Sequence, residues 1–427
     1  MSSLAQKTNS IFKGKLKGGA LYIAIIVSIV IGVLLSMFIL LAHYNQRNII
    51  VFTQSTQLYY NLKSAFEIAQ SDYFTSDLND KWFKNTSNDD SLKVKKLNWG
   101  SFLLIHAQTK NRHQSLSQAG LYGSFMNADT ALMVSDNSRP IGLSGKIEFK
   151  ANCYLPKAGI KPAFIEGQSY QSSSQNNVFI RTSKGSIPEV NDAIIKNLKQ
   201  QFEISYSNDS IINLVPDKLD NSFTAKTIVY ELGSGKLFGK NWKNNIKLIC
   251  RSHLELDSSC HLENILIVCQ KVIFKQGFKG SVHVIASDSI ITEKNCEFLY
   301  PSSFTLLAND NVSTNLKCIM LNEGCRFFGG IIAINQSNIT TSSKVFVKLN
   351  TSCQVNGLIY SSDYMHIEGQ LNATVIANTL LLKTPSAVYE NHILGCEINP
   401  KKYSQILAVP LLFKTNSKLQ CCKKVNT

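Results

Sequence analysis

Residues 20–42 form an apolar run without a charged side chain, interrupted mainly by Ser28, Gly32 and Ser36. As a helix, its 23 residues would span the hydrocarbon core of a bilayer, about 30 Å thick, at about 1.5 Å of rise per residue. The run is longer than the apolar part of a secretory signal, about 7–15 residues, and no small-x-small cleavage site follows it. The pattern therefore predicts a transmembrane helix.

The apolar pattern continues beyond this run as an amphipathic helix over residues 43–75. An apolar stripe and a neighbouring aromatic stripe recur at helical spacings: Val51, Leu58, Leu62, Ala65 and Ala69, with Tyr59, Phe66 and Tyr73 beside them. Lys63 and Glu67 lie on the opposite face. No proline or glycine interrupts the chain between Ser36 and Phe74, so we expect one helix on the order of 80 Å long.

Short runs of β-branched and aromatic residues then predict a small β-rich domain over residues 76–185. Within it, residues 142–159 include a clear alternation of apolar and charged side chains. Residues 186–228 are predicted to be a linker with one helix, capped by Ser186 and with Pro188 in its first turn. One stripe of that helix is apolar: Val190, Ile194 and Leu198.

Between residues 229 and 395 four stretches resemble one another. Each has a large apolar residue, a small or glycine-containing turn and an apolar pair, and they begin at Phe278, Phe327, Val355 and Leu371. Their irregular spacing is of the order of the coils of a parallel β-helix. The pattern predicts a β-solenoid-like domain, with a β-sandwich as the structural alternative. Four cysteines are predicted to face mostly inward: Cys269, Cys296, Cys318 and Cys353.

The predicted fold is therefore mainly β, with one long N-terminal transmembrane helix and a C-terminal parallel β-helix (solenoid)-like domain. The segments run from a basic cytoplasmic leader through the transmembrane helix, its amphipathic continuation, the β-rich domain, the linker and the solenoid-like domain to a tail: 1–19, 20–42, 43–75, 76–185, 186–228, 229–395 and 396–427. In the tail, the adjacent Cys421 and Cys422 could crosslink subunits as exposed thiols, but we expect them to lie in an exposed, disordered end without a role.

Charge narrows the choice of partner and compartment. The formal net charge is +15, but the lysines are spread along the chain without an arginine-rich tract. A nucleic-acid groove needs concentrated charge, so we expect no nucleic acid and favour a surface near anionic lipid headgroups. The positive-inside rule predicts an inner-membrane protein with a cytoplasmic N-terminus and its bulk in the periplasm or at the surface. The lysines that precede the apolar run are Lys7, Lys13, Lys15 and Lys17.

Candidate chemistry is sparse. No CxxC pair, zinc-finger spacing, G-x-S-x-G, H-E-x-x-H, P-loop or GxGxxG context occurs, so we expect no cofactor, no metal and no catalytic residue. The closest polar set is His253, Glu255, Asp257 and His261, whose even spacing would place all four on one face of a strand. Such a face is a candidate metal or acid/base site, or simply a solvated surface. We expect His283 and His366 to line coil surfaces.

The lysine-rich leader, the stretch KGGALYIAIIVSIVIGVLLSMFILLA and the amphipathic continuation together resemble the N-termini of type IV pilins and type II secretion pseudopilins. The minor subunits of those systems are the most similar. The resemblance implies cleavage by a prepilin peptidase after Gly18 or Gly19, which puts Ile23 or Ala24 at the fifth mature position in place of the usual glutamate. It also implies two kinds of partner, namely the lipid bilayer and other pilin-like or secretion-machine subunits.

Gly32 and Ser36 would then permit close packing between membrane helices, and the function implied is structural: a minor pseudopilin-like subunit of a type II secretion or type IV pilus-like system. A second resemblance links residues 131–170 to uncharacterised membrane-anchored proteins of Bacteroidota and implies no activity. Other interpretations stay open. They are an uncleaved anchor, a membrane-tethered solenoid that binds glycan or cell-wall polymer, and a polysaccharide-active β-helix enzyme.

Overall fold

The computed structural model describes residues 18–71, 74, 76–84, 90–126, 128–172, 179–203, 216–308, 317–336, 344–403, 407–413 and 419–425. Within them the protein is mainly β with one long apolar N-terminal helix, which confirms the coarse fold class expected from the sequence. The leader residues 1–17 and the predicted stripe residue Tyr73 lie outside the described residues.

Helix α1 spans Gly18–Gln70, 53 residues, or about 80 Å at the usual rise per residue. Polar interruptions are satisfied within the helix, because the Ser28 hydroxyl donates to the Ala24 carbonyl at 2.8 Å. Every residue from 19 to 53 is exposed within the chain. The helix is long and apolar enough to cross a membrane.

The C-terminal part of α1 packs on an antiparallel sheet. The sheet consists of β1 Trp82–Lys84, β2 Ser91–Trp99, β3 Phe102–Lys110 and β4 Ser115–Phe125, each paired with the next, and a 3-10 turn at Ser76–Leu78 precedes it. Four residues of the predicted stripe are buried: Leu58, Leu62, Ala65 and Ala69. The fifth, Val51, is 42% exposed, because it lies outside the part of the helix that packs on the sheet.

Most of the remaining chain forms a 21-stranded sheet. Its first strands are β5 Thr130–Val134, β6 Ile141–Phe149, β7 Asn152–Leu155 and β8 Ile160–Pro162. A small separate hairpin follows, β9 Phe164–Ile165 and β10 Gln168–Ser169. The large sheet resumes with β11 Gln171–Ser172, β12 Ile180–Thr182, β13 Lys218–Asn221, β14 Ile228–Leu232, β15 Gly235–Leu237 and β16 Asn241–Asn244.

The long strands of this sheet come next in the chain. They are β17 Ile246–Leu256, β18 His261–Phe274, β19 Lys279–Thr292, β20 Glu297–Ala308, β21 Lys317–Leu321, β22 Arg326–Asn335, β23 Val345–Leu349, β24 Gln354–His366, β25 Gly369–Lys383, β26 Val388–Glu390 and β27 His392–Ile398. All their pairings are parallel except that of β26 with β25.

Strand β18 shows how a long strand pairs with its neighbours in three separate stretches. The first residues of β18 pair with β16, and two later stretches of β18 pair with β17 across a register shift. The parallel pairings thus form three series, which we name the open, covered and third series. They contain, respectively, the register pairs Asn241 with His261, Ile249 with Val268, and Leu256 with Phe274. This hydrogen-bonding pattern is consistent with a β-helix-like domain.

Inward-facing side chains of the three series share one apolar interior. Its centre is a stack of phenylalanine rings whose centroids lie 4.8–5.7 Å apart: Phe274, Phe278, Phe298, Phe304 and Phe327. Cys269, Cys296 and Cys353 belong to this interior. Cys318 is also buried but alternates with the inward-facing Ile319, so it lies on the opposite side of its strand. All eleven cysteines are free thiols.

A recurring corner joins the third series to the open series. At Cys260, Phe278, Cys325 and Cys353 the backbone N–H donates to the carbonyl three residues earlier, at 3.1–3.4 Å. The residue that precedes the inward cysteine or phenylalanine has a positive φ in four corners: Gly277 77°, Asn295 58°, Gly324 73° and Ser352 60°. Glycine and asparagine tolerate this backbone conformation best. In the sequence, each corner is a glycine, asparagine or serine followed by cysteine or phenylalanine. The four similar stretches described above do not by themselves reveal this motif.

Two parts of the chain lie elsewhere than the predicted segments place them. Strands β5–β8, β11 and β12 do not join the antiparallel sheet. They extend the large sheet past its last strands, since β5 pairs with β25 and β6 with β27. The tail is not disordered where it is described. Its strands β28 Ala408–Val409 and β29 Leu419–Val425 pair antiparallel with β4, after a 3-10 turn at Pro400–Lys402. Alternation predicts a strand but does not specify its neighbour.

Helix α2 spans Asp192–Glu203, so it begins six residues after the predicted cap at Ser186. The cap is instead Asn191, whose Oδ1 accepts a hydrogen bond from the Ala193 N–H at 3.0 Å. Near the other end, the buried Lys247 ammonium donates to the Gln201 carbonyl at 3.2 Å, a favourable contact for a helix C-terminus.

The outer side of the covered series is apolar and is hidden by three elements. Its outward residues include Val268, Ile285, Ile332, Tyr360 and Ile376. They pack against the second face of the antiparallel sheet, helix α2 with the segment just before it, and residues 407–413. These elements contribute Leu104, Leu121, Val190, Leu198, Val409 and Leu412. Strands that are apolar on both faces need cover on both. The antiparallel sheet is therefore packed between α1 and the parallel sheet.

Candidate functional site

The most prominent functional feature is the exposed half of α1. Among the described residues, nothing lies within 4 Å of a Cβ built on Gly32, and Ser36 satisfies its own hydroxyl by donating to the Val33 carbonyl at 2.8 Å. Large apolar side chains surround this notch, for example Leu35 at 57% and Ile39 at 70% exposed. An exposed apolar surface of this size is costly in water, and the helix that carries it is long and apolar enough to cross a membrane.

The tip of the β3–β4 hairpin marks where α1 leaves the sheet. The Ser55 hydroxyl donates to Gln114 Oε1 at 3.0 Å, and the Asn61 amide donates to Asp90 Oδ2 at 2.6 Å. The Thr109 hydroxyl adds a bond to the Leu58 carbonyl at 3.3 Å. These bonds hold the packed half of α1 to the sheet. The exposed half of the helix therefore extends from a segment that is fixed to the folded part of the protein. Gly18 and Gly19, the predicted processing positions, lie in the first turn of the described helix.

The predicted polar face divides into two places. His253 and Glu255 end β17 in the third series, where His253 Nε2 lies 3.1 Å from Glu255 Oε1. Lys236 lies 2.9 Å from the other carboxylate oxygen and Lys275 3.8 Å from it. Lys236, together with His253, lowers the pKa of Glu255 to about 2. This carboxylate is therefore an ionised partner of cations and a poor general acid.

Asp257 and His261 do not complete that site, because the corner separates them from it. Asp257 accepts bonds from the Ser259 N–H at 2.9 Å and the Ser259 hydroxyl at 2.7 Å, which stabilise the turn. His261 is exposed at the start of β18, in the open series. Even spacing places residues on one face only while the strand continues, and here it ends at Leu256. No group of three or more potential metal ligands occurs among the described residues.

The two histidines that were predicted to line coil surfaces, His283 and His366, are both buried. His283 is 0% exposed and lies beneath the β2–β3 turn, with Nδ1 3.1 Å from the Ser303 hydroxyl and Phe102 edge-on at 5.5 Å. Burial lowers the pKa of His283 to about 3. His366 accepts a bond at Nδ1 from the Lys383 N–H at 3.1 Å. Both environments indicate structural roles.

Sequence reasoning missed a ladder of polar side chains on the outside of the open series. The register aligns them on successive parallel strands: Asn241, His261, Lys279, Glu297, Arg326 and Gln354. Four of the six are exposed and the other two are half-buried. The signal in the sequence is the residue that follows each corner cysteine or phenylalanine, which is polar at every corner. The outer side of the covered series is apolar, whereas the outer side of the open series carries hydrogen-bonding side chains.

Cys421 and Cys422 also lie elsewhere than expected, since both belong to β29 and are half-buried. Cys421 packs with the core between α1 and the antiparallel sheet, and Cys422 packs with the core on the other side of that sheet. Burial raises the pKa of both thiols, that of Cys422 to about 12. A thiol held neutral by burial is a poor nucleophile, so crosslinking of subunits through these cysteines is not favoured.

No protein-family model matches the chain, and no curated protein or solved structure is significantly similar to it.

Proposed function

We propose that the protein is a membrane-anchored assembly subunit, comparable to the minor pseudopilins of type II secretion or type IV pilus-like systems. One observation carries this proposal. A single helix has one half packed on an antiparallel sheet and the other half exposed, apolar and braced at its base. A plain anchor needs no rigid connection to its folded domain, whereas a subunit that packs through its helix benefits from one.

In this proposal the cytoplasmic leader precedes cleavage at Gly18 or Gly19. The helix lies in the inner membrane, and the two sheets lie in the periplasm or at the surface. Gly32 and Ser36 form the notch for a neighbouring helix. The large parallel sheet is a β-solenoid whose three series enclose the interior, and it serves as a stiff body that presents a surface to partners.

The mature N-terminal residue, read by intact mass of the protein from its native membrane, tests the proposal. We expect a chain that starts at Gly19 or Ala20. A double variant, Gly18→Leu with Gly19→Leu, should keep the leader, whereas the matched control Gly32→Leu should be processed normally. A native chain that starts at Met1 or Ser2 would overturn processing and leave a plain anchor.

A further inference from the structure

We propose that the open series binds an acidic polysaccharide in a groove at the level of β18–β20. The groove encloses about 340 Å³ and is lined by polar side chains that include Asn241, Lys243, His261, Lys279 and Lys423. It lies on the opposite side of the parallel strands from their apolar interior. The inference does not rest on the assembly role, because an anchored or an assembled protein would present the same groove.

The groove has a floor and two walls from distant parts of the chain. Successive parallel strands form the floor. One wall is Leu299 and Tyr300, which lie in the register shift of β20 between Phe298 and Ser302. The Tyr300 hydroxyl holds this wall by donating to the Ala408 carbonyl at 3.1 Å and accepting from its N–H at 2.9 Å. The other wall is Lys423 of β29.

Positive charge dominates the lining. Lys423 and Lys243 share one carboxylate, Glu263, at 2.7 and 3.5 Å, so this cluster keeps an excess of cation. Lys279 is 58% exposed and lies 2.9 Å from Glu297, next along the ladder. An anionic ligand would compete for the lysines at little desolvation cost, since exposed ion pairs are weak.

The ladder indicates a polymer instead of a small anion. Neighbouring strands are spaced about 4.7–4.9 Å apart, close to the length of one sugar unit along an extended glycan. Beyond the groove the register continues through Arg326 to Gln354 and Gln370, whose side-chain amides are 3.4 Å apart. Among the described residues no ion pair engages Arg326 or His261. The row includes one carboxylate, Glu297, which Lys279 neutralises at 2.9 Å. Its other members are amides and basic side chains, which match the hydroxyl and carboxylate groups of an acidic glycan.

A single-stranded nucleic acid fits this surface less well. Such ligands are held by aromatic side chains on which bases stack. The aromatic rings among the described lining residues are those of His261 and Tyr300, and Tyr300 is half-buried with its hydroxyl bonded to Ala408. The groove thus supplies charge and hydrogen bonds without a row of exposed aromatic rings on which successive bases could stack.

The experiment titrates the full chain in detergent micelles with polygalacturonate, with a neutral galactan of matched length as comparator. We expect binding of polygalacturonate that weakens as salt is raised through about 0.15 M, where the Debye length is about 8 Å. The galactan should bind at least tenfold more weakly, a difference of about 1.4 kcal/mol. The double variant Lys279→Gln with Arg326→Gln should lose roughly tenfold in affinity, at about 1 kcal/mol or less for each exposed cation.

Lys294→Gln is the matched control. Lys294 is 61% exposed and lies 2.8 Å from Glu323, so its exposure and ion pair resemble those of Lys279, but it lies in a corner outside the groove. This control should bind like the parent, and all variants should keep the parent Tm. Equal losses in control and double variant, equal binding of an oligonucleotide, or no binding of polygalacturonate would each overturn the proposal. None of these outcomes affects the mature N-terminus, so the two proposals fail separately.

Discussion

At the residue scale, His283 shows how a polar side chain is used in the contact between the two sheets. It occupies an outward position of β19, where the parallel strand β20 supplies Ser303 and the antiparallel sheet supplies Phe102. Only the neutral imidazole fits, because the ring is fully buried and the positive Lys423 also disfavours its protonation. The low pKa of His283 therefore depends on the two sheets remaining packed together.

We expect acid to destabilise the fold in part through His283. Its pKa is about 3 when folded against an ordinary 6.5, so the unfolded chain binds more protons between these values and stability falls as pH drops from about 6.5 toward 3. His283→Asn should lose less Tm between pH 7 and pH 4.5 than the parent. The exposed control His261→Asn should keep the parent slope. Three parallel slopes would contradict this role of His283.

At the element scale, the corner is the unit that repeats. A residue with positive φ followed by an inward cysteine or phenylalanine returns the chain from the third series to the open series. Gly277 and Asn295 occupy the same corner position, and no atom of the described residues lies within 4 Å of a Cβ built on Gly277. Substitution there tests backbone conformation without a steric clash.

We expect Gly277→Asn to change stability by less than about 0.5 kcal/mol, because asparagine already serves at position 295 and tolerates positive φ. Gly277→Val should cost about 1–2 kcal/mol, since a β-branched residue is strained in the left-handed region. Chemical denaturation of both variants measures the difference. If valine and asparagine cost the same, backbone strain does not govern the corner.

At the scale of the whole molecule, the C-terminal strand completes three structures. β29 forms an edge of the antiparallel sheet, contributes side chains to the cores on both faces of that sheet and supplies one wall of the groove. Residues 407–413 bury Leu407, Ala408, Val409 and Leu412. Residues 407–413 and 419–425 are thus part of the fold.

Deletion of residues 407–427 should destabilise the protein by several kcal/mol, because each large apolar side chain that loses its burial costs about 1.5–3 kcal/mol. The exposed β4 edge should also promote aggregation. Thermal unfolding and light scattering measure both effects. The control Lys424→Gln, at an exposed position of β29, should leave Tm unchanged. A truncated chain as stable as the parent would show that β29 is dispensable.

Local patterns determined several features of this protein. An uncharged run of bilayer length, an apolar stripe at helical spacing and β-branched runs depend on side chains close together in sequence. They therefore predicted α1, the burial of four of the five stripe residues and a remainder that is mainly β. Two predictions were wrong because they also used only local patterns. The helix cap is Asn191 and not Ser186, and the predicted polar set is divided because β17 ends at Leu256.

The tertiary structure decided which strands are neighbours. Residues 130–182 and 419–425 have strand patterns that fit either sheet, and only packing against β25, β27 and β4 assigns them. The groove likewise joins β18 and β20 to Lys423, far away in the chain. Alternation specifies which side chains face a core but not which core, because the free energy of burial depends on the surface removed from water and not on its distance in sequence.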